Sequence, residues 1–107
     1  MREPLSEATR IFGERVRENR RRLGISQETL AELSGVHWTF VGQVERGVRN
    51  LSLHNIVKMA AGLDIDPSVL VQGLDGTAVP VAAREPSAAD RIRTERNLRV
   101  DGAEPVA

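Results

Sequence analysis

Apolar residues recur along the first part of the chain at the three-to-four-residue spacing of a helix. Phe12, Val16 and Leu23 share one face of a predicted helix over residues 7–22, and Gly24 just beyond them is a residue type that commonly ends helices. Ser26 then stands as N-cap to QETLAELSG, with Leu30 and Leu33 turned inward and Gly35 as its stop. A third helix runs from His37 to Arg46 and closes at Gly47. Ser52 caps a fourth, which carries Leu53, Ile56, Val57 and Ala60 and ends near Gly62. Asp66 followed by Pro67 joins a capping side chain to a first-turn proline, so a fifth helix is expected through Val69, Leu70 and Gln72. No segment alternates apolar and polar residues over a useful length, and no repeat is visible. The expected fold class is all-α.

After Gly76 the texture changes to TAVPVAAREPSAADRIRTERNLRVDGAEPVA, rich in Ala, Pro and charge, with five Arg against five acids and few large apolar residues. Such a segment buries too little to hold itself folded, so it reads as a flexible C-terminal tail with room for a short helix around Ala88 to Leu98. The alternative is a dimerisation or partner-binding segment.

The helices expected at 26–34 and 37–46 are joined by Gly35, Val36 and His37, the short Gly-containing turn of a helix-turn-helix. At about 100° per residue, Phe40, Val41, Val44 and Val48 gather on one side of the second of these helices, and Thr39, Gly42, Gln43 and Arg46 on the other. Trp38 sits at the edge of the outer set. A solvated helix face would ordinarily carry Glu, Lys and Ala; this one offers an aromatic ring, a hydroxyl, an amide and a guanidinium around a glycine. An exposed mid-helix glycine costs about 1 kcal/mol relative to alanine, and close approach to another surface is one gain that offsets it. Gly42 is therefore either the centre of a contact face or a neutral accident on a wet one.

Composition narrows what that face can serve. The chain has 107 residues, enough for one small domain and a modest core but not for a large catalytic cavity. No cysteine is present and only His37 and His54 could ligate softly, so disulfides are excluded and a structural zinc is not expected; no metal or cofactor is called for. No apolar run reaches the roughly 20 residues of a membrane span, and MREPLSEATR lacks the apolar stretch of a signal peptide, which points to a cytoplasmic protein. Net charge is zero, yet between Arg10 and Arg49 eight Arg face five acids. Fourteen of the fifteen basic residues are Arg, whose planar fork suits phosphates and base edges, although coding bias enriches Arg too.

The run LGISQETLAELSGVHWTFVGQVERGVRNLSLHNIVKMAAGLDIDPSVLV resembles the Cro/cI-type, or XRE-type, helix-turn-helix domain of phage repressors and bacterial regulators. The landmarks are ISQ opening the second helix, LAELSGV into the turn, QVERG closing the third helix, and RNLSLHNIVKMAAGLDIDPSVLV completing a five-helix unit. Three positions depart from the usual pattern: Leu51 where Pro is common, Thr29 where Glu is common, and His37 where Ser or Thr usually caps the third helix. The resemblance implies a five-helix, lambda repressor-like DNA-binding domain at residues 8–76, preceded by an arm at 1–7 and followed by the tail at 77–107.

It also implies roles. With the third helix in the major groove, His37, Trp38, Thr39, Gly42 and Gln43 become candidate base contacts. A Gln can pair with adenine N6 and N7, a Thr with a base edge or a thymine methyl, and a Trp with a methyl or the backbone wall. Trp38 has the competing reading of a hydrophobic cover over the second helix. Gln27, at a helix start, becomes a phosphate clamp, joined by Arg46, Arg49 and Asn50, for which a solvated basic loop is the alternative. Arg20 and Glu45 take the positions of a partly buried ion pair that orients the third helix. Arg15, Arg17, Arg21 and Arg22 either add long-range attraction or form a solvated face.

The expected function is sequence-specific binding of double-stranded DNA to regulate transcription, probing an inverted repeat as a homodimer through either the fifth helix (Val69, Leu70, Val71) or the tail. The alternative is an interaction module, such as an antitoxin or partner-controlled regulator that engages a protein through residues 77–107. An enzyme is the poorest reading, because no paired carboxylates, no nucleophile with a base and no phosphate-cradling loop appear, leaving no catalytic residue to name.

Overall fold

The computed structural model of the protein describes residues 2–80 and 88–101. Helices α1 (Glu7–Leu23), α2 (Gln27–Ser34), α3 (Trp38–Glu45), α4 (Leu53–Gly62) and α5 (Ser68–Val71) follow in order, and the described residues form no strand. Local chemistry explains each start. Ser6, Ser26 and Ser52 accept the backbone N–H of Thr9, Thr29 and Asn55, satisfying donors that the first helical turn leaves without partners. Thr29 also lies 3.0 Å from the Ser26 hydroxyl, so the side chain replacing the commoner Glu still closes the first turn of α2. Gly24 and Gly35 end α1 and α2 in the left-handed conformation.

Helix α3 is clasped between α1 and α2, while α4 packs on α2 and α5 on α1. Fully buried side chains come from each of these five helices: Val16, Leu30, Val41, Val44, Met59 and Leu70, with Leu63 just past α4. At about 1.5–3 kcal/mol for each large apolar side chain removed from water, this shared interior is the main force holding α3 in place. Where α1 crosses α3, a Cβ on Gly13 would overlap the carbonyl oxygens of Val44 and Glu45, so glycine permits the helices to touch backbone to backbone.

Leu33, expected inside, is outside, as are three further apolar residues of the expected helices. Leu23, Leu33 (59% exposed), Leu53 (75%) and Val57 all face solvent. In the eight-residue α2 the inward set is Leu30, Ala31 and Ser34, which turns Leu33 away. In α4 the inward stripe runs from half-buried Ile56 through Met59 and Ala60 to Leu63, and neither Leu53 nor Val57 falls on it. On α1 the inward stripe passes from Phe12 and Val16 to Asn19, so Leu23 lies beyond the packed crossing.

Helix α5 has only four residues; Asp66 accepts the Ser68 N–H at 2.8 Å, and the regular turn starts after Pro67. Its C-terminal end is closed by Arg15, which donates to the carbonyls of Leu70 and Gln72 at 3.3 and 2.7 Å. A 3-10 turn at Gly76–Ala78 follows, with Ala78 buried. Helix α6 spans Ala88–Asp101, and its described side chains from Arg91 to Asn97 are exposed. The rest of the expected tail, 81–87 and 102–107, lies outside the described residues.

Candidate nucleic-acid interface

The turn between α2 and α3 is built by Gly35, at φ 69°, and by the Val36 N–H bonded to the Ala31 carbonyl at 3.0 Å. It delivers His37 to the N-cap of α3. The His37 Nδ1 accepts the Thr39 N–H at 3.2 Å and lies 2.8 Å from the Thr39 hydroxyl, so an imidazole performs the job usually given to Ser or Thr. Its ring stacks on Trp38 with centroids 5.9 Å apart.

From there α3 divides into two sides. Val41, Val44 and Glu45 are buried, as is Val48 just beyond the helix, and Phe40 is half-buried. Trp38 (53% exposed), Thr39 and Arg46 stand in solvent, with Gln43 partly exposed between them. Trp38 is thus no lid over α2. His37, Thr39, Phe40, Gln43, Arg49 and Asn55 line one open concavity of about 300 Å³, and the Arg49 guanidinium lies 5.1 Å above the Phe40 ring. That cation–π contact orders an otherwise free arginine beside the outward face of α3.

The C-terminal end of α3 is tied down by charge. Glu45, whose side chain has 0% exposure, receives Arg20 Nε at 2.6 Å on Oε2 and Arg20 Nη2 at 3.0 Å on Oε1. Gln27 Nε2 at 3.0 Å and Arg17 Nε at 3.3 Å reach the same Oε1. Burial pushes the Glu45 carboxyl upward, but the hydrogen bonds from Arg20, Gln27 and Arg17 outweigh it and hold the group below its ordinary value. The bond to Glu45 in turn raises Arg20, against its partial desolvation. Arg20 also donates to the Ile25 carbonyl at 2.9 Å, so one guanidinium joins α1, the α1–α2 turn and α3.

Two sequence expectations change here. Gly42 is buried, because the side chains of Gln27 and Arg46 lie across it; an added Cβ would sit 3.5 Å from Gln27 Oε1 and 3.3 Å from Arg46 Nη1. The close approach that the glycine allows is made by neighbouring side chains of the same chain. Leu70 leaves the candidate dimer surface, since it is fully buried in the core, whereas Val69 and Val71 remain exposed. The structure gathers His37, Thr39, Gln43 and Arg49 around one concavity, with Trp38 stacked at its rim and Arg46 on the same outward side. Asn50, although exposed, lines a separate apolar groove with Phe12, Leu51, Ile56 and Val71. Sequence reasoning missed Arg17 as a Glu45 partner, though its spacing of three from Arg20 places both on one helix face. Nothing in the sequence announces the Phe40–Arg49 stack, or Asn55, which α4 brings to the concavity.

A family model described as Helix-turn-helix matches residues 16–70, from the middle of α1 to α5. The chain belongs to the helix-turn-helix family. Its XRE-type domain is 44% identical over 66 residues to the control protein C.SmaI of Serratia marcescens, covering 60% of this chain and 79% of that one. The crystal structure of the restriction-modification controller protein C.AhdI from Aeromonas hydrophila is 56% identical, with a TM-score of 0.57 over 58% of this chain and 94% of that chain. The P22 c2 repressor, solved with a synthetic operator, is 30% identical, with a TM-score of 0.56 over 60% of this chain and 97% of that chain. These relatives are a control protein, a controller protein and a repressor, and this helix-turn-helix protein is a DNA-binding transcriptional regulator. No helix among the described residues is long and apolar enough to cross a membrane.

Proposed function

We propose that the protein reads a specific sequence in duplex DNA by laying α3 in the major groove, as a homodimer on an inverted repeat, and that it controls restriction-modification genes. The observation that carries the reading is the uncovered outward side of α3. Trp38 and Thr39 in solvent and Gln43 beside them form a mixed aromatic and hydrogen-bonding face that nothing in the described chain covers. Base edges ask for such a face, since amide and hydroxyl groups match their donor and acceptor pattern and an aromatic ring packs on thymine methyls. Arg46 and Arg49 flank it as exposed cations suited to phosphates.

Electrostatics agree with the division of labour. Arg17 and Arg20 neutralise Glu45 internally, so the only carboxylate on α3 does not repel a phosphate backbone. One copy offers few base contacts, and a two-fold pair with recognition helices about 34 Å apart doubles them. Control of restriction-modification genes rests on the likeness to C.AhdI, whose own role is that of a restriction-modification controller.

In vitro selection from a random duplex pool tests the reading. The expected product is an inverted repeat whose affinity falls with salt at a log-log slope of about −0.9 per neutralised phosphate. A selection that enriches no sequence, or an affinity indifferent to salt, would favour the interaction-module reading instead.

A further inference from the structure

The departure at the N-cap of α3 has a chemical consequence. A backbone N–H can only donate, so the His37 nitrogen that takes the Thr39 N–H at 3.2 Å must be the unprotonated one. A neutral imidazole then carries its single proton on Nε2, and a doubly protonated ring would set two donors against each other at the cap. The Thr39 hydroxyl, 2.8 Å from the same Nδ1, has to point its hydrogen there too, which leaves Thr39 outwardly an acceptor with a methyl group. Stacking on the Trp38 indole, at 26° between planes, holds the plane of the ring, and the two Thr39 contacts to Nδ1 select between its flips. Nε2 makes no hydrogen bond among the described residues, and His37 is exposed on the concavity that it shares with Thr39, Gln43 and Arg49. Arg49 is the one charged side chain lining that concavity, and Lys58 approaches the turn beside Gly35.

We propose that His37 is a specificity-determining residue with a fixed tautomer: Nδ1 caps α3, and Nε2–H is presented to the major groove as a donor that recognises the N7 acceptor of a purine. This rests on the groove reading above and gives it a chemical direction, because a donor with no acceptor capacity discriminates against an amino group at the same place. A Ser or Thr cap offers no such donor at this reach. The position is at the helix N-terminus, where recognition helices of this motif contact base edges, which favours a base over a phosphate as the partner.

Two experiments on the full-length chain test it. Long-range proton–nitrogen spectra of ¹⁵N-labelled protein at about pH 8, with a His54→Gln variant to assign the signals, report the tautomer without any DNA. The expected pattern is a protonated Nε2 and an unprotonated Nδ1; a proton on Nδ1 overturns the inference and leaves the proposed function standing. The second uses the duplex selected by the wild-type protein, with each purine of a half-site replaced in turn by its 7-deaza analogue. One replacement is expected to weaken wild-type binding about tenfold. His37→Ser, which keeps a competent cap, is expected to bind the unmodified duplex about tenfold more weakly and to lose its sensitivity to that one replacement. A purely structural cap predicts the opposite: His37→Ser retains both affinity and 7-deaza sensitivity, and that result would overturn the assignment. A wild-type protein that selects no duplex would remove the DNA partner of Nε2 together with the proposed function, with the tautomer unaffected.

Discussion

At its C-terminal end α3 is anchored, with Val44 and Glu45 buried and the Glu45 carboxylate held by Arg17, Arg20 and Gln27; at its N-terminal end His37, Trp38 and Thr39 stand in solvent. Both ends are rich in polar atoms, but those atoms have different fates. At the anchored end the Glu45 carboxylate is spent inside the protein on Arg17, Arg20 and Gln27, and the result is a fixed helix direction. At the open end, hydrogen bonding within the chain is limited to the cap, and the remaining groups are left for something outside. A reading helix needs both, because base recognition tolerates little angular error and yet requires uncovered side chains.

The anchored end should break most expensively. Glu45→Ala leaves Arg20 without its partner in a largely desolvated place, and a loss of about 2–3 kcal/mol is expected, seen as a fall in Tm of roughly 10 °C or more. The same group sets an acid limit. Its folded-state value lies below the ordinary 4.5, so its contribution to stability is present above pH 4.5 and is lost as pH falls through the folded-state value. Glu45→Gln lacks that component. Its stability should start lower near neutrality and converge with the wild type in acid, as read by denaturant titrations at each pH. Parallel curves would show that the carboxylate does not hold α3.

The open end should behave in the reverse way. Trp38→Ala is expected to weaken specific DNA binding about tenfold to a hundredfold while shifting Tm by only a few degrees, since the ring is 53% exposed. A large loss of Tm with affinity retained would place Trp38 in the folding of the domain and erase the contrast between the two ends. Arg46→Ala should weaken specific and non-specific duplexes alike by a few-fold and flatten the log-log salt slope by about 0.9, which salt titrations measure directly.

Gly42→Ala should do least. The added methyl meets the flexible ends of Arg46 and Gln27 at 3.3 and 3.5 Å, and the gain in helix propensity of about 1 kcal/mol offsets their adjustment. Unchanged Tm and DNA affinity within a few-fold are expected; abolished binding by a well-folded Gly42→Ala would place the glycine on the DNA surface.

Much of this was legible along the chain. Serine caps, left-handed glycine stops and the angular sorting of α3 are local rules, and they located five helices and the outward set Trp38, Thr39, Gln43 and Arg46. What failed depends on neighbours that only folding supplies. Gly42 lies on the outward side by angle and is buried because Gln27 of α2 reaches across it. Leu33 is apolar but misses the narrow stripe that the short α2 buries, since hydrophobicity alone does not fix a helix's rotation. Asn50 follows Arg49 directly, yet the chain turns between them and sends the two to different concavities. The His37 cap was visible as an oddity; its atom-level meaning needed the Nδ1 to Thr39 distance.

Trp38 is the only tryptophan, so its emission reports from the open end of α3 alone. Titrating the protein with a duplex carrying the selected inverted repeat, and with a scrambled duplex of equal length, is the most direct measurement. The account predicts an emission change that saturates with the selected duplex, is absent or far weaker with the scrambled one, and moves to higher DNA concentration as salt is raised. An indole that responds identically to both, or to neither, would contradict the claim that this end of the helix reads DNA.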